Sequence, residues 1–454
     1  MEKRYSLNMT SGPFLKKILI FSVPLMLTGL LQLAYNTADV VVVGRFAGKE
    51  ALAAVGSTGS LINLLVNVFL GLSMGSGVMI ARHIGAGDEE RVHKSTHTAM
   101  LLSIICGFFV GALGFFLSRQ ILILMKVPAD VLDLASLYLK IYFLGSPGML
   151  AYNFGASIVR ATGDTKRPLY ILFLSGLVNV GLNLILVIFF HMGVSGVAIA
   201  TITSQYISAA MIIKYLTVIP NSCRLSFKKL RIHKEELLPI IRLGLPAGIQ
   251  NSLFSISNVI IQSTVNSFGS VAMAGIAAGS NYDSYVYTCT NAVSQTSMTF
   301  TSQNMGAKKY GNIPKVYSYC LIITVVIGTA GGWLGALCAD TITGFFSTDP
   351  EIIKIGAARL TQIMPFYVFC SLMDVAGNQL RGMGKSYEPM IVSLVGACGV
   401  RLAWIFFALP FSHTLTMLYW AYPISWAATF FAQFAFYFIV RKQMKRKGIT
   451  FKEV

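Results

Sequence analysis

The sequence predicts an all-α membrane protein in which twelve transmembrane helices form two six-helix bundles related by a parallel internal repeat. Three observations carry that prediction: too little charge for water, regularly spaced charge-free windows, and an offset at which the chain matches itself. Of 454 residues, 55% are hydrophobic and 12% are charged, where a soluble domain carries about 25% charged residues. The mean hydropathy is +0.66. A water-soluble multidomain enzyme and a disordered chain are both excluded. Twelve helices of ~20 residues account for about 240 residues, close to the hydrophobic content.

The spans follow in order. Residues 18–38, 51–81, 99–118 and 141–159 hold no Asp, Glu, Lys or Arg. Residues 168–213 are also uncharged and are divided into two spans by His191-Met-Gly-Val-Ser-Gly196. Windows 243–282 and 284–307 are separated only by Asp283, and 316–339 follows. Window 356–380 is interrupted by Asp374, with Arg359 near its start; window 389–410 contains one charge, Arg401, and the last span is 415–440. Lys16 and Lys17 lead into an apolar run far longer than a signal h-region, so the first window reads as a span.

Charge sets the orientation. Of the 36 Lys and Arg residues, 28 fall in the termini and in the segments 82–94, 160–167, 214–242, 308–315 and 381–385. The opposite loops hold Arg45, Lys49, Arg119, Lys126, Lys354 and Arg359. This bias predicts a multi-pass protein of the cytoplasmic membrane with both termini cytoplasmic. It also explains the +18 net charge as topology, so no nucleic-acid partner is expected; the lipid bilayer is the expected surroundings. Seven cysteines lie scattered without a CxxC pair and read as packing residues, with no metal or cofactor implied.

Shifted by 221–222 residues, the two halves align. Pro24 meets Pro246 and Phe46 meets Phe268; after a one-residue gap Gly48 meets Gly269 and Ala51 meets Ala272. The register holds for Gly85-Ala86 on Gly306-Ala307, Arg160 on Arg381, Gly163 on Gly384 and Pro168 on Pro389. Each half has six spans, an even number, so both enter the membrane in the same sense, a pattern of secondary transporters. The predicted parts are an N-terminal lobe 1–218, a basic cytoplasmic linker 219–236 and a C-terminal lobe 237–454.

Several of these segments carry motifs: Ala34-Tyr35-Asn36-Thr37-Ala38-Asp39, Val43-Gly44-Arg45-Phe46-Ala47-Gly48 and then Ala51 to Gly56. Gly85-Ala86-Gly87-Asp88 follows span 2, and Arg160-Ala-Thr-Gly163-Asp164 and Leu380-Arg381-Gly-Met-Gly384 follow spans 4 and 10. This ordered set resembles the multidrug and toxic compound extrusion (MATE) transporters, near the bacterial DinF-like and YoeA-like subgroups, across essentially the whole chain. The resemblance implies a V-shaped twin-bundle antiporter that exports small organic, often cationic, compounds against a proton or sodium gradient.

Only Asp39, Asp283 and Asp374 are acids at membrane depth, where a charge costs about 2.5–3.5 kcal/mol on insertion scales. Asp39 shares a polar helix face with Gln32, Tyr35 and Asn36; Asn179 and Asn183 are one turn apart in span 5. The resemblance implies an ion site of Asp39, Asn179 and Thr201, with Asn183 standing where many relatives carry a second Asp. One carboxylate suits a proton better than a desolvated sodium ion, so proton coupling is favoured and sodium is the alternative.

The C-terminal half lacks that acid, because Ile261 aligns with Asp39. The Glu and Asp that some relatives carry in spans 7 and 10 align with Phe254 and Cys370. Polar stripes are present instead: Asn251, Ser255, Asn258 and Gln262 in span 7, and Ser284, Thr288, Asn291 and Gln295 in span 8. With Asn153 in span 4, these are the cavity and substrate candidates; interhelical hydrogen bonding explains each singly. Asp374 and Arg401 lie at comparable depth and read as a structural ion pair or a second proton site. Asp283 reads as interfacial.

Other classes fit less well. The six histidines lie at loops or span ends, and no HExxH or GxSxG motif occurs, so an enzyme is not expected. A channel needs no duplicated bundle. A lipid-linked oligosaccharide flippase, a related twin-bundle class, would need a cationic cavity, whereas Arg401 is essentially the sole deep arginine.

Overall fold

A computed structural model describes residues 7–125, 127–449 and 451. Lys3, Arg4, Lys126 and Lys452, counted above for orientation, lie outside the described residues. The described residues form helices and connecting turns, with no strand among them.

The helices are α1 (Phe14–Phe46), α2 (Lys49–Ala86), α3 (Glu89–Leu124), α4 (Ala129–Leu144), α5 (Ser146–Ala161), α6 (Lys166–Leu184) and α7 (Gly193–Val218). After the linker come α8 (Lys234–Asn266), α9 (Ser270–Gly306), α10 (Asn312–Leu337), short α11 (Ala339–Gly344), α12 (Pro350–Ile363) and α13 (Tyr367–Gly382). The chain ends with α14 (Tyr387–Ser393), α15 (Arg401–Ala403) and α16 (Leu415–Arg446). Joining α4 to α5, α12 to α13 and α14 to α15 gives twelve membrane-length paths, six per sequence half. Nine of them, among the described residues, are individually long and apolar enough to cross a bilayer. The others are the path bent between α4 and α5 at Gly145, and α8 and α9, which carry the polar stripes.

One boundary differs from the sequence prediction. The chain does not break at Asp283; α9 runs through it, and the break is at Gly269. Gly269 has φ 91° and ψ 172°, and its repeat mate Gly48 has φ 90° and ψ 172°. Only glycine adopts that region readily, so the same residue closes the same turn in each half. Gly163 and Gly384 repeat the pattern, with φ 96° and φ 90°. Asp283 needs no loop because it has a partner inside, described below.

Starts and stops are chemically marked. Asp88 accepts the Arg91 amide at 3.0 Å ahead of Glu89 and Glu90, and Gly87 closes α2 in the left-handed conformation. Asp349 caps α12, accepting the Glu351 amide at 2.9 Å, with Pro350 at the first position. Beyond α6, residues Ile185–Phe189 form a π turn; Leu394–Val400 and Trp404–Ala408 do so beside α15, in the repeat-equivalent span.

By packing, the chain divides into two compact units. Unit 1 comprises Met1–Asn8 and Leu27–Ser252; unit 2 comprises Met9–Met26 and Leu253–Val454. The packing units thus differ from the repeat halves in that the first part of α1 sorts with unit 2 and the first part of α8 with unit 1. Pro24 and Pro246 lie in these two helices, each removing one helical hydrogen bond. Inside unit 1, Gly71 and Gly75 of α2 meet Gly244 and Gly248 of α8 backbone to backbone, so closely that a Cβ at any of the four would overlap the neighbour. Small residues allow such approach where lipid gives helices no hydrophobic drive to associate. The outer surfaces carry large apolar side chains, among them Phe108, Phe116, Phe189, Phe407 and Phe411, as a lipid-facing surface requires.

Candidate functional site

In unit 1 the span-1 acid meets span 5. Tyr35 and Asp39, one turn apart on α1, both turn towards α6. The Tyr35 ring lies against Gly176, where a Cβ would overlap it, and its hydroxyl donates to the Phe173 carbonyl at 3.2 Å. One turn further along, the Asn183 amide donates to the Asp39 carboxylate. The same Asn183 amide lies 3.4 Å from the Asn179 side-chain oxygen. Both asparagines are buried and Asp39 is half-buried, so the carboxylate sits at the exposed end of a buried amide pair. The Asn183 side-chain oxygen is itself buried without a hydrogen-bond partner.

Four other residues predicted for this lobe are placed differently. Thr201 on α7 donates to the Val197 carbonyl at 2.9 Å and makes no hydrogen bond to Asp39 or Asn183. Gln32 and Asn36 stay exposed on the neighbouring face of α1. Asn153 donates to the Met149 carbonyl of its own helix at 2.8 Å.

Unit 2 builds its polar centre from other elements. The Asp374 carboxylate, on α13, lies beside the side chains of Tyr287 and Asn291 on α9, with the Arg381 guanidinium as the nearby cation; the Asn291 amide lies 3.4 Å from the Tyr287 hydroxyl. Asn291 also accepts from Gln295 at 2.7 Å. Arg381 donates to Asn378 at 2.7 Å, and Asn378 donates to Ser294 at 2.7 Å. A continuous polar chain therefore links α9 and α13. Ser284 and Thr288 continue the α9 stripe, the Thr288 hydroxyl donating to the Ser284 carbonyl at 2.7 Å. On α8, Asn258 and Gln262 are exposed and Asn251 and Ser255 half-buried; Gln262 donates to Asn266 at 3.1 Å.

The ion pair expected between Asp374 and Arg401 does not form. Arg401 lies over the Tyr422 ring, 4.5 Å from its centroid, and reaches Ser425 at 3.3 Å. Equal depth on two spans does not fix equal azimuth, and the π turns flanking Arg401 rotate it towards α16. The buried ion pair of unit 2 is instead Arg359 to Asp283, at 2.6 Å, between α12 and α9. Sequence had assigned Arg359 to a loop and Asp283 to the interface. Tyr367 donates to the Asp283 carbonyl at 3.2 Å beside it.

Tyr287 and Arg381 are functional candidates that the sequence reading missed. Tyr287 stands four residues before Asn291, and that spacing was the available signal. Arg381 was counted among loop charges, yet it is buried.

The MatE family profile matches the chain twice, over residues 24–185 and 246–407, so the two matches sit one repeat offset apart. The chain is 28% identical over 441 residues to the probable multidrug resistance protein YoeA of Bacillus subtilis (strain 168), covering 95% of this chain and 94% of that protein. It is 30% identical over 391 residues to the probable multidrug resistance protein YpnP of the same organism, covering 86% and 87%. Among solved structures, the outward-facing conformation of a multidrug resistance MATE family transporter of the MOP superfamily is similar in fold. The TM-score is 0.90 with 21% identity, covering 98% of this chain and all of that one. Six membrane-length paths per half, a doubled profile and near full-length coverage converge: the chain belongs to the MatE family and is a multidrug efflux transporter of the membrane, not an enzyme.

Proposed function

We propose that this protein exports organic, cationic compounds from the cytoplasm in exchange for protons, with Asp39 as the coupling residue and both termini on the cytoplasmic side. The observation that carries this is the contact between Asp39 and the buried Asn183. A carboxylate held by a neutral amide in a span has a partner in either protonation state: ionised it accepts from the amide N–H, and protonated it can donate to an amide oxygen. No counter-cation need move when the proton arrives. Substrate and proton then compete, and Pro24 lower in α1 lets the helix change shape between the two states.

One observation favours sodium as a second reading. The Asp39 carboxylate and the Asn179 and Asn183 amides place several oxygens together, and the Asn183 oxygen has no donor. A hard cation could use them. The flippase reading has no such support, since Arg401 is committed to Tyr422 and Ser425.

The repeat halves 1–218 and 237–454 are proposed to superpose as like bundles with 219–236 joining them. Efflux of a cationic dye from inverted vesicles, with ΔpH and ΔpNa imposed separately, separates the two ions. Proton coupling predicts that ΔpH alone drives transport and that ΔpNa alone does not; the reverse result would assign sodium.

A further inference from the structure

Four of the six histidines lie where the linker meets α2 and α3, all within unit 1. The Ser226 backbone N–H donates to His97 Nε2 at 3.0 Å, and the other ring nitrogen, Nδ1, lies 2.8 Å from the His93 carbonyl. An amide N–H can only donate and a carbonyl can only accept. The two partners therefore fix the ring as neutral, with its proton on Nδ1 and its lone pair on Nε2. His97 is buried, so water does not substitute readily for either partner. The next anchor along the linker is the His233 amide, which donates to Thr98 at 3.0 Å. The last is Glu236, buried, which accepts from His83 at 2.8 Å and from Ser95 at 2.6 Å.

We propose that His97 is a pH-responsive latch that holds the linker to α3 when neutral and releases the stretch around Ser226 when protonated. Imidazolium has no lone pair at Nε2 and would turn an N–H towards the Ser226 N–H, so donor meets donor. The anchor at Glu236 responds in the opposite sense. Burial pushes the Glu236 carboxyl up, but the hydrogen bonds from His83 and Ser95 and the charges of His83 and Arg91 outweigh it and hold it below the ordinary range. It stays ionised, and protonating His83 strengthens its contact. Acidification thus frees the middle of the linker and keeps its end pinned.

The surrounding charges favour release once His97 is protonated. On α3 itself stand His93, whose ring centroid is 4.1 Å away, with Arg91 and Lys94. The linker brings Lys229 and His233 beside His93, and α2 brings Arg82 and His83. Glu235 and Glu236 at the start of α8 oppose them. Of the other helices packed on α3, α5 carries Arg160 near its end, and the Asp133 of α4 pairs with Arg119 towards the far end of α3. The latch contributes while His97 is neutral and is lost once the ring takes up a second proton. The linker is the covalent tie between the repeat halves, and this inference does not depend on which ion drives transport.

The test is hydrogen–deuterium exchange of the full-length protein in detergent, following the peptide that covers 222–230 from pH 8 to pH 5.5 and correcting for intrinsic exchange. The expected result is about fivefold faster corrected exchange at the acidic end, the size of one lost hydrogen bond, with a peptide covering Glu236 unchanged. A flat corrected profile in the unmodified protein would overturn the proposal without any variant. His97→Gln, which does not titrate, should make the 222–230 profile flat, whereas His93→Gln should leave the fivefold change. Persistence of the pH response in His97→Gln would move the latch elsewhere and refute the assignment.

Discussion

The two sequence halves share backbone turns and differ in polar chemistry. Gly48 and Gly269 close the same bend with φ and ψ matching to within a degree, and Gly163 and Gly384 repeat the left-handed turn. Yet unit 1 holds its acid on α1 against amides of α6, while unit 2 holds its acid on α13 against Tyr287, Asn291 and Arg381. The residue aligned with Asp39 is Ile261, which is buried in the apolar core of unit 2. The comparison teaches that the repeat preserves what the backbone requires, while each half arranges its own carboxylate. The carboxylate of unit 1 has neutral amides beside it, and that of unit 2 has a cation within reach.

The largest expected effect in unit 2 is structural. Asp283→Asn or Arg359→Met leaves one buried charge unpaired and should cost about 3–5 kcal/mol, read as a loss of melting temperature in detergent. The double replacement should recover most of it. Asp374→Asn and Arg401→Met, in contrast, should add independently, because those side chains do not meet; coupling between them in a double-mutant cycle would contradict the placement.

In unit 1 the next effect is functional. Asn183→Ala removes the partner of Asp39 and should slow gradient-driven efflux about tenfold, the equivalent of one hydrogen bond to a charged group. Asn183→Asp sharpens the comparison, because it sets a second carboxylate against the first. Two like charges favour a shared cation, so this variant should gain sodium-stimulated efflux, measured with ΔpNa alone. No sodium response would count against the Asp39–Asn183 contact as the coupling centre.

The smallest effect tests the shared backbone. A Cβ at Gly48 or Gly269 meets nothing within 4 Å, so Gly48→Ala and Gly269→Ala should each cost only the conformational strain, about 1–3 kcal/mol, and cost the same. Unequal losses would show that the two bends are not equivalent.

Much of the fold was legible because lipid excludes charge: most breaks between the twelve spans could be read from charge, others from uncharged turns such as His191–Gly196, and one was misplaced. Asp283 looked like a loop because its partner Arg359 is 76 residues away, and pairing at that separation leaves no local pattern. Gly269, already aligned with Gly48, held the correct signal. At the site, Asp39 and Asn183 were legible as residue types in spans, since an acid or amide at depth needs a reason. Which residues touch Asp374 was not legible. Helical azimuth decides it, and the π turns of Leu394–Val400 and Trp404–Ala408 change azimuth without changing composition.

The central claim is that the carboxylate of unit 1, not that of unit 2, carries the coupling proton. The most direct measurement is proton release by purified protein in weakly buffered detergent when a cationic dye is added, with dye binding followed in parallel. The unmodified protein should release about one proton per dye bound, Asp374→Asn should do the same, and Asp39→Asn should bind dye and release none. Undiminished release by Asp39→Asn, or its loss in Asp374→Asn with dye binding intact, would contradict the account and place the exchanging proton in unit 2.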